Sequence, residues 1–451
     1  MAKDYCSPLD ITQIEQNFSE INPAMTQAEA LAEANRCLYC YDAPCTRACP
    51  THIDVPSFIK KIASGNLHGS ARVIFDANPI GASCARVCPV EVLCEGACVE
   101  KTLLDKPIEI GRLQRYATDH AMSSGRQIYT KGVSNGKSVG IVGSGPAGLS
   151  CASYLARLGY DVTVYEKRAQ AGGLDTYGMA EYKMPQAVSL SEVEHIEKMG
   201  VKFALNTEIT AMDELHSKHD AIFLATGLGE TNKLNIPGEE LEGVYDALEF
   251  IQYIKTRDWK SVPLGKNVVV IGAGNTAIDA VTQAKRLGAE KVIMVYRRTE
   301  KDAPAYDYEM ELARKDGIEF AWQTKPVAIT GNGQVNALRC SKPDGTEVEI
   351  ACDMVIKAIG QQKMASFFTE VCGVKTDEKG RVVVNDRMQT SDPKIFSGGD
   401  CANGGKEAVD ASQMGKLAAM GIHETLSGEK VEFAGAVLRD PPKAPVDTIP
   451  H

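Results

Sequence analysis

Eight of the chain's 14 cysteines fall in two tight runs. The first is Cys37-x2-Cys40-x4-Cys45-x3-Cys49-Pro50, and the second is Cys84-x3-Cys88-Pro89-x4-Cys94-x3-Cys98. Such spacings let one loop wrap several thiolates around a single iron–sulfur cubane, and a Cys-Pro step is a frequent end to such a loop. In two-cluster arrangements the last cysteine of a run often serves the other cluster, because the turn ending in proline points it away. Eight thiols suit two 4Fe–4S clusters. Zinc prefers paired Cys-x2-Cys units or Cys/His sets at tetrahedral spacing, and only Cys37-x2-Cys40 has that form. Disulfides need an oxidising compartment, for which the N-terminus gives no sign. A cluster with a purely structural role is the competing reading. The remaining cysteines (Cys6, Cys151, Cys340, Cys352, Cys372 and Cys401) are scattered and are read as inert buried thiols.

Two glycine motifs supply a second chemistry. Gly143-x-Gly145-x-x-Gly148 follows an apolar strand and opens a helix through Pro146 and Ala147. Its glycines permit a tight turn, close approach to a pyrophosphate, and tight helix–strand packing, while the helix N-terminus attracts the phosphates. Glu166 ends the following strand, where it can accept from a ribose hydroxyl. Three further phrases, Gly172-Gly173-Leu174, Ala225-Thr226-Gly227 and Phe396-Ser397-Gly398-Gly399-Asp400, are similar to those of flavin disulfide-reductase-like proteins. That similarity implies FAD at the first motif, with the Asp400 carboxylate toward the ribityl or phosphate region.

The second motif, Gly272-x-Gly274-x-x-Ala277, continues through Asn275, Thr276 and Asp279 and is the variant common where NAD(P) binds. The strand after it ends in Tyr296-Arg297-Arg298 rather than in an acid. Arginine can pair bidentately with a ribose 2′-phosphate, which favours NADPH. Asp279 either sits near the nicotinamide or only caps or packs. The chemistry implied is hydride transfer from nicotinamide to flavin, followed by single-electron release to the clusters, with the cofactors rather than acid–base residues supplying the reactivity.

The elements that must position these residues are legible in outline. Thr26 and Glu29 form a capping box for a helical pattern over Met25–Leu38. Ile53–Ile62, Gly69–Phe75 and Pro107–His120 are also helical. Past the polar linker Lys131–Lys137 the texture becomes βαβ: strand Ser138–Val142, helix Pro146–Leu158, strand Asp161–Glu166, and again strand Asn267–Ile271, helix Thr276–Leu287, strand Lys291–Tyr296. Another strand covers Ala221–Leu224. Asp353–Ile359, Val382–Val384 and Ile395–Ser397 are short β-like runs expected to return to the first fold. The predicted class is α/β: a helical iron–sulfur domain (1–130), a Rossmann-like FAD domain (131–261 and 356–451), and a Rossmann-like NAD(P) domain (262–355) inserted in it.

With 451 residues, about three domains are expected. A net charge of −10 argues against nucleic-acid or anionic-membrane partners. No apolar run approaches membrane-spanning length, and Met1–Asp10 lacks the apolar stretch of a signal peptide, so a cytoplasmic location is expected.

With these motifs in place the chain resembles the dihydropyrimidine dehydrogenase family, both the N-terminal half of the large enzyme and its separate bacterial FAD/iron–sulfur subunit. The phrases that carry the likeness are Arg36-Cys37-Leu38-x-Cys40, Asp42-Ala43-Pro44-Cys45, Cys49-Pro50-Thr51-His52-Ile53-Asp54, Ser57-Phe58-Ile59 and Ile110-Gly111-Arg112-Leu113-Gln114. The small subunit of glutamate synthase and the NAD(P)H-linked ferredoxin transhydrogenase share the architecture. The glutamate synthase pattern, however, has a shorter gap where this chain has Cys88-x5-Cys94.

The resemblance implies one cluster on Cys37, Cys40, Cys45 and Cys98, and the other on Cys49, Cys88, Cys94 and Gln114. That leaves Cys84, which spacing alone would make a ligand, as a spare. It also implies a separate FMN/iron–sulfur partner that reduces uracil or thymine, since no segment here reads as a (βα)8 barrel. The separate bacterial subunits of the family are typically NAD-dependent, so the nucleotide is left as NAD(P). The alternatives are the input subunit of glutamate synthase or of a transhydrogenase, and a non-catalytic structural partner.

Overall fold

The computed structural model describes residue 5 and residues 7–437; Cys6 lies outside the described residues. Contacts divide the chain into two compact units, one of 22–175, 187–228 and 363 onward, the other of the N-terminal arm, 176–186 and 229–362.

The first unit begins with short helices: Gln27–Ala34, Pro44–Ala48, Val55–Ala63, Leu67–Ala77, Gly81–Val87, Val99–Leu104 and Ile110–Ser123. Side-chain caps fix several starts. Thr26 accepts from the Glu29 amide while Glu29 accepts from the Thr26 amide at 2.7 Å, and Asp54 accepts from the Ser57 amide at 3.1 Å. Their apolar faces close over Phe58, Ile59, Ile62, Ile74 and Leu113. Cys37, Cys45, Cys49, Cys94 and Cys98 pack, partly buried, against this small core.

The same unit holds a five-stranded parallel sheet, in the order Ile395–Ser397, Ala221–Leu224, Ser138–Val142, Asp161–Tyr165, Lys202–Ala204. Its register sets Val142 level with Tyr165 and Leu224, and Leu224 level with Ser397. Gly143, Glu166, Ala225 and Gly398 therefore all leave the sheet at one carboxyl edge, where open α/β sheets bind their ligands. The strands Ser138–Val142, Ala221–Leu224 and Ile395–Ser397 are buried on both faces and read as near-continuous apolar runs. The helix Pro146–Arg157 lies against the helix Ala408–Ser427 so closely that a Cβ on Gly415 would come 2.2 Å from the Ala147 carbonyl oxygen.

The other unit repeats the plan with five parallel strands in the order Val244–Asp246, Met354–Lys357, Asn267–Ile271, Lys291–Val295, Glu319–Ala321, and adds a three-stranded antiparallel meander over Lys325–Gly331, Val335–Ser341 and Glu347–Ala351. Ile271 is level with Val295 and Lys357.

Two of the short β-like runs behave differently from expectation. Met354–Lys357 does not return to the first fold; it pairs with Asn267–Ile271 and Val244–Asp246 inside the second sheet. Val382–Val384 is not a strand, because Val382 makes a single bridge to Thr376. Ile395–Ser397 does join the first sheet, beside Ala221–Leu224. No helix among the described residues is long and apolar enough to cross a membrane.

Candidate functional site

At the edge of the first sheet the backbone is packed too tightly for side chains. Gly143 adopts φ +100°, and a Cβ there would lie 2.4 Å from the Ala225 carbonyl oxygen, so the first motif and Ala225-Thr226-Gly227 pass one another as bare main chain. A Cβ on Gly148 would come 2.1 Å from Gly143 O, which is why the helix can close down on the loop. The N-cap of this helix is Gly145, and no side chain caps the first turn, so its amides remain for an anion.

Glu166 is 7% exposed. One of its oxygens accepts from the Ser144 amide at 3.2 Å and the Ser144 hydroxyl at 2.6 Å, the other from the Arg168 amide at 2.9 Å. Ser144 Oγ in turn accepts from the Gly172 amide at 3.1 Å. That bond ties the Gly172-Gly173-Leu174 turn onto the first motif. Thr226 Oγ1 is buried with no partner among the described residues. Gly399, at φ +76°, brings its backbone against Ala147, where a Cβ would sit 2.9 Å from the Ala147 Cβ. Asp400 follows, accepting from the Lys406 amide at 3.2 Å, and burial pushes its carboxyl up while Lys363 opposes. Open helix amides, an orphaned hydroxyl and a glycine-lined cradle fit the FAD implied by the motifs.

The second sheet presents a cleft of about 660 Å³ lined by Gly272, Gly274, Thr276, Arg297 and Arg298. Gly272 has φ +134°, and a Cβ there would lie 2.2 Å from Ala358 O. Gly274 caps the helix Asn275–Leu287 without a side-chain bond, again leaving amides open. Lys233, Lys325 and Lys357 also line this cleft; the last is paired with Glu239 at 2.9 Å and Asp246 at 3.1 Å. These lysines escaped the sequence reading because they lie far apart along the chain.

Asn275, Ala277 and Asp279 do not line the cleft. Asn275 Oδ1 accepts from the Tyr306 amide at 3.1 Å, and Ala277 is fully buried. Asp279 is buried in an ion pair with Lys183 at 2.6 Å, and Lys183 also meets Glu309 at 2.6 Å.

In the cysteine region, Cys37, Cys40, Cys45 and Cys98 line one cavity walled by Val55, Ile59 and Ile108. Burial pushes the Cys45 thiol up to about 12 and raises Cys37 and Cys40 as well. Thiols this reluctant to ionise become ligands only where a metal supplies the compensating charge. Cys84 is 2% exposed, inside the helix Gly81–Val87. It hydrogen-bonds Cys88, whose thiol this contact and burial push well up. Burial does the same to Cys94, which has Cys49 and Cys45 among its neighbours. Gln114 is buried, and its Nε2 donates to Gly81 O at 2.7 Å. Among the described residues no three Cys, His, Asp or Glu side chains surround a single-ion site.

Two further residues lacked any sequence signal. Glu192, at 2% exposure, accepts from the Ala82 amide at 2.7 Å, the Ser83 amide at 3.2 Å and the Ser83 hydroxyl. Burial raises its carboxyl to about 8. Lys416 is fully buried in the helix Ala408–Ser427.

The chain matches two family models: pyridine nucleotide-disulphide oxidoreductase over residues 137–415, and dihydropyrimidine dehydrogenase domain II, 4Fe-4S cluster, over residues 14–126. It is 36% identical to the NAD-dependent dihydropyrimidine dehydrogenase subunit PreT of Escherichia coli strain K12, over 92% of this chain and 98% of that protein. It is 35% identical to the glutamate synthase [NADPH] small chain of the same organism, over 92% and 95%. Among solved structures, thioredoxin reductase of T. acidophilum superposes with a TM-score of 0.55 at 23% identity, covering 64% of this chain and 98% of that one, and so supports the fold. FAD, NAD(P)H and 4Fe–4S clusters are the cofactors these matches imply. The chain therefore belongs to the pyridine nucleotide-disulphide oxidoreductase family, as an NAD(P)H-dependent flavin and iron–sulfur electron-transfer protein with a 4Fe–4S domain ahead of its dinucleotide folds.

Proposed function

We propose that the chain is the electron-input subunit of a cytoplasmic dihydropyrimidine dehydrogenase, working with a separate FMN/iron–sulfur subunit that reduces uracil or thymine. The observation that carries this reading is the cavity shared by Cys37, Cys40, Cys45 and Cys98, in a chain aligned over nearly its full length with a dihydropyrimidine dehydrogenase subunit. Bound FAD supplies hydride acceptance from NAD(P)H, and the clusters supply single-electron transfer. The protein's own part is positional. Gly143, Gly145, Gly148, Gly173 and Leu174 shape the FAD cradle, with Pro146 and Ala147 opening its helix. Glu166, Thr226, Gly227, Gly399 and Asp400 offer polar partners along it. Gly272, Gly274, Thr276, Arg297 and Arg298 hold the nucleotide. Cys49, Cys88, Cys94 and Gln114 hold the second cluster. The same proposal assigns 1–130 to the clusters, 131–261 with 356–451 to FAD, and 262–355 to NAD(P), with 229–261 and 356–362 transferred to the NAD(P) part because Val244–Asp246 and Met354–Lys357 pair in the second sheet.

The test is anaerobic reduction of the reconstituted holoprotein by NADH and NADPH in turn, followed by uracil with and without a candidate FMN subunit. Flavin bleaching with uracil consumed only in the partner's presence supports the reading. Bleaching with no effect of partner or uracil refutes the pyrimidine assignment. A second reading, the small chain of a glutamate synthase, rests on the nearly equal identity to that protein. It predicts electron delivery to a glutamate synthase large chain supplied with glutamine and 2-oxoglutarate.

A further inference from the structure

Lys416 sits mid-helix with no exposed surface. Its ammonium donates to two main-chain carbonyls, Thr51 O at 3.1 Å and Ala434 O at 2.8 Å, and among the described residues no carboxylate comes within ion-pair distance of it; Asp76, itself paired with Arg157 at 2.6 Å, acts on it only from farther off. Burying an ammonium costs several kcal/mol unless an opposite charge lies near, and these carbonyls carry only dipoles. The turn it grips is the one that follows Cys49: Thr51 Oγ1 lies 3.3 Å from Cys49 Sγ.

The segment 433–436 closes over the same turn. Phe433 packs on Tyr154, with ring centres 4.4 Å apart. Gly435, at φ +65°, approaches so closely that a Cβ would fall 2.1 Å from Thr51 O. Gly435 O lies 3.0 Å from His52 Nδ1 and accepts from Gln413 Nε2 at 3.2 Å. Lys416 is thus clamped between the Cys49–His52 turn and its cover, and it has little freedom to swing toward solvent. Burial pulls the ammonium down to about 7, and the Cys49 sulfur is the foremost group opposing that pull.

We propose that Lys416 is a positioning residue for the cluster bound through Cys49, its buried positive charge stabilising the reduced cluster and raising its reduction potential. The proposal rests on Cys49 being a cluster ligand. Net charge near the sulfurs is one of the quantities that set iron–sulfur potentials. Reduction adds one negative charge to the cluster, which a protonated Lys416 beside the Cys49 turn favours.

The experiment is an anaerobic EPR redox titration of the reconstituted full chain, with iron counted in parallel. Lys416→Gln keeps a donor for a carbonyl and removes the charge. At the solution potential where the wild-type cluster is half reduced, the variant is expected to show a reduced-to-oxidised ratio about tenfold lower, roughly 59 mV for one electron, with Lys416→Arg close to wild type. Full iron and an unchanged potential in Lys416→Gln overturn the proposal. If Lys416→Gln loses iron, the arginine variant decides: a cluster retained at the wild-type potential upholds the proposal, and loss in both variants overturns it. Cys49→Ser separates the underlying reading, since iron that stays complete in that variant shows Cys49 not to be a ligand, whatever Lys416 does.

Discussion

Gly173 stacks backbone on backbone over Gly145: at φ +59°, a Cβ on Gly173 would come within 2.6 Å of the Gly145 Cα. The contact joins the turn after the second strand to the pyrophosphate loop, and neither partner is the flexible end of a side chain. Gly173→Ala is expected to fold and to keep its iron while losing FAD affinity by roughly tenfold or more, about 1.4 kcal/mol. Flavin content after gel filtration, and a Kd from flavin fluorescence, check this. Wild-type affinity would show that the loop relaxes around a methyl group.

Arg297 and Arg298 both line the nucleotide cleft. If they hold a 2′-phosphate, the double alanine variant should raise the KM for NADPH about 10- to 100-fold, the range for hydrogen bonds to a charged group, and leave the KM for NADH within about twofold. Equal losses for both nucleotides would assign the arginines to the shared diphosphate or adenine instead.

Cys84 and Gln114 compete for the eighth cluster position. Cys84→Ser is expected to retain all iron and lose only about 1–2 kcal/mol of stability, from a hydroxyl placed in a buried site. Cys45→Ser should lose about half the iron, because Cys45 shares its cavity with three other thiols. Iron analysis and denaturant unfolding separate the two effects. Loss of a cluster in Cys84→Ser would restore an all-cysteine ligand set.

Glu192 makes stability depend on pH. Its folded carboxyl is raised to about 8 from the ordinary 4.5, chiefly by burial. Between these values the folded state holds a proton that the unfolded chain releases. The stabilisation is therefore complete below about pH 4.5 and is lost as pH rises toward 8, on the order of 5 kcal/mol at most. Glu192→Gln should flatten this part of the curve. Denaturant midpoints of the apoprotein between pH 5 and 8 test it, and parallel curves for the two proteins would show that Glu192 ionises freely.

The local elements were largely legible in the sequence. Strands Ser138–Val142 and Asn267–Ile271 fall where their apolar runs predict, and the helices after them begin at the glycine motifs. A run of β-branched residues followed by glycines carries its own instructions: the side chains demand burial, and the glycines alone allow the turn. The cysteine spacings likewise announced a cluster site, since ligands a few residues apart must share a loop.

Only the tertiary structure decided what depends on partners distant in the chain. Met354–Lys357 has the apolar character of either parallel sheet, and hydrogen bonding to Asn267–Ile271 and Val244–Asp246 placed it in the second. Asp279 looks from sequence like a nucleotide-site acid, yet Lys183 draws it into a buried ion pair. Glu192 and Lys416 are ordinary polar letters on helices until the fold sets one beneath the Ala82 and Ser83 amides and the other against Thr51 O. Apolar periodicity and glycine steps are properties of a short stretch, and the sequence holds them outright. Strand order and the partner of a buried charge depend on which of several chemically acceptable neighbours is brought within 3 Å, and only the completed packing selects among them.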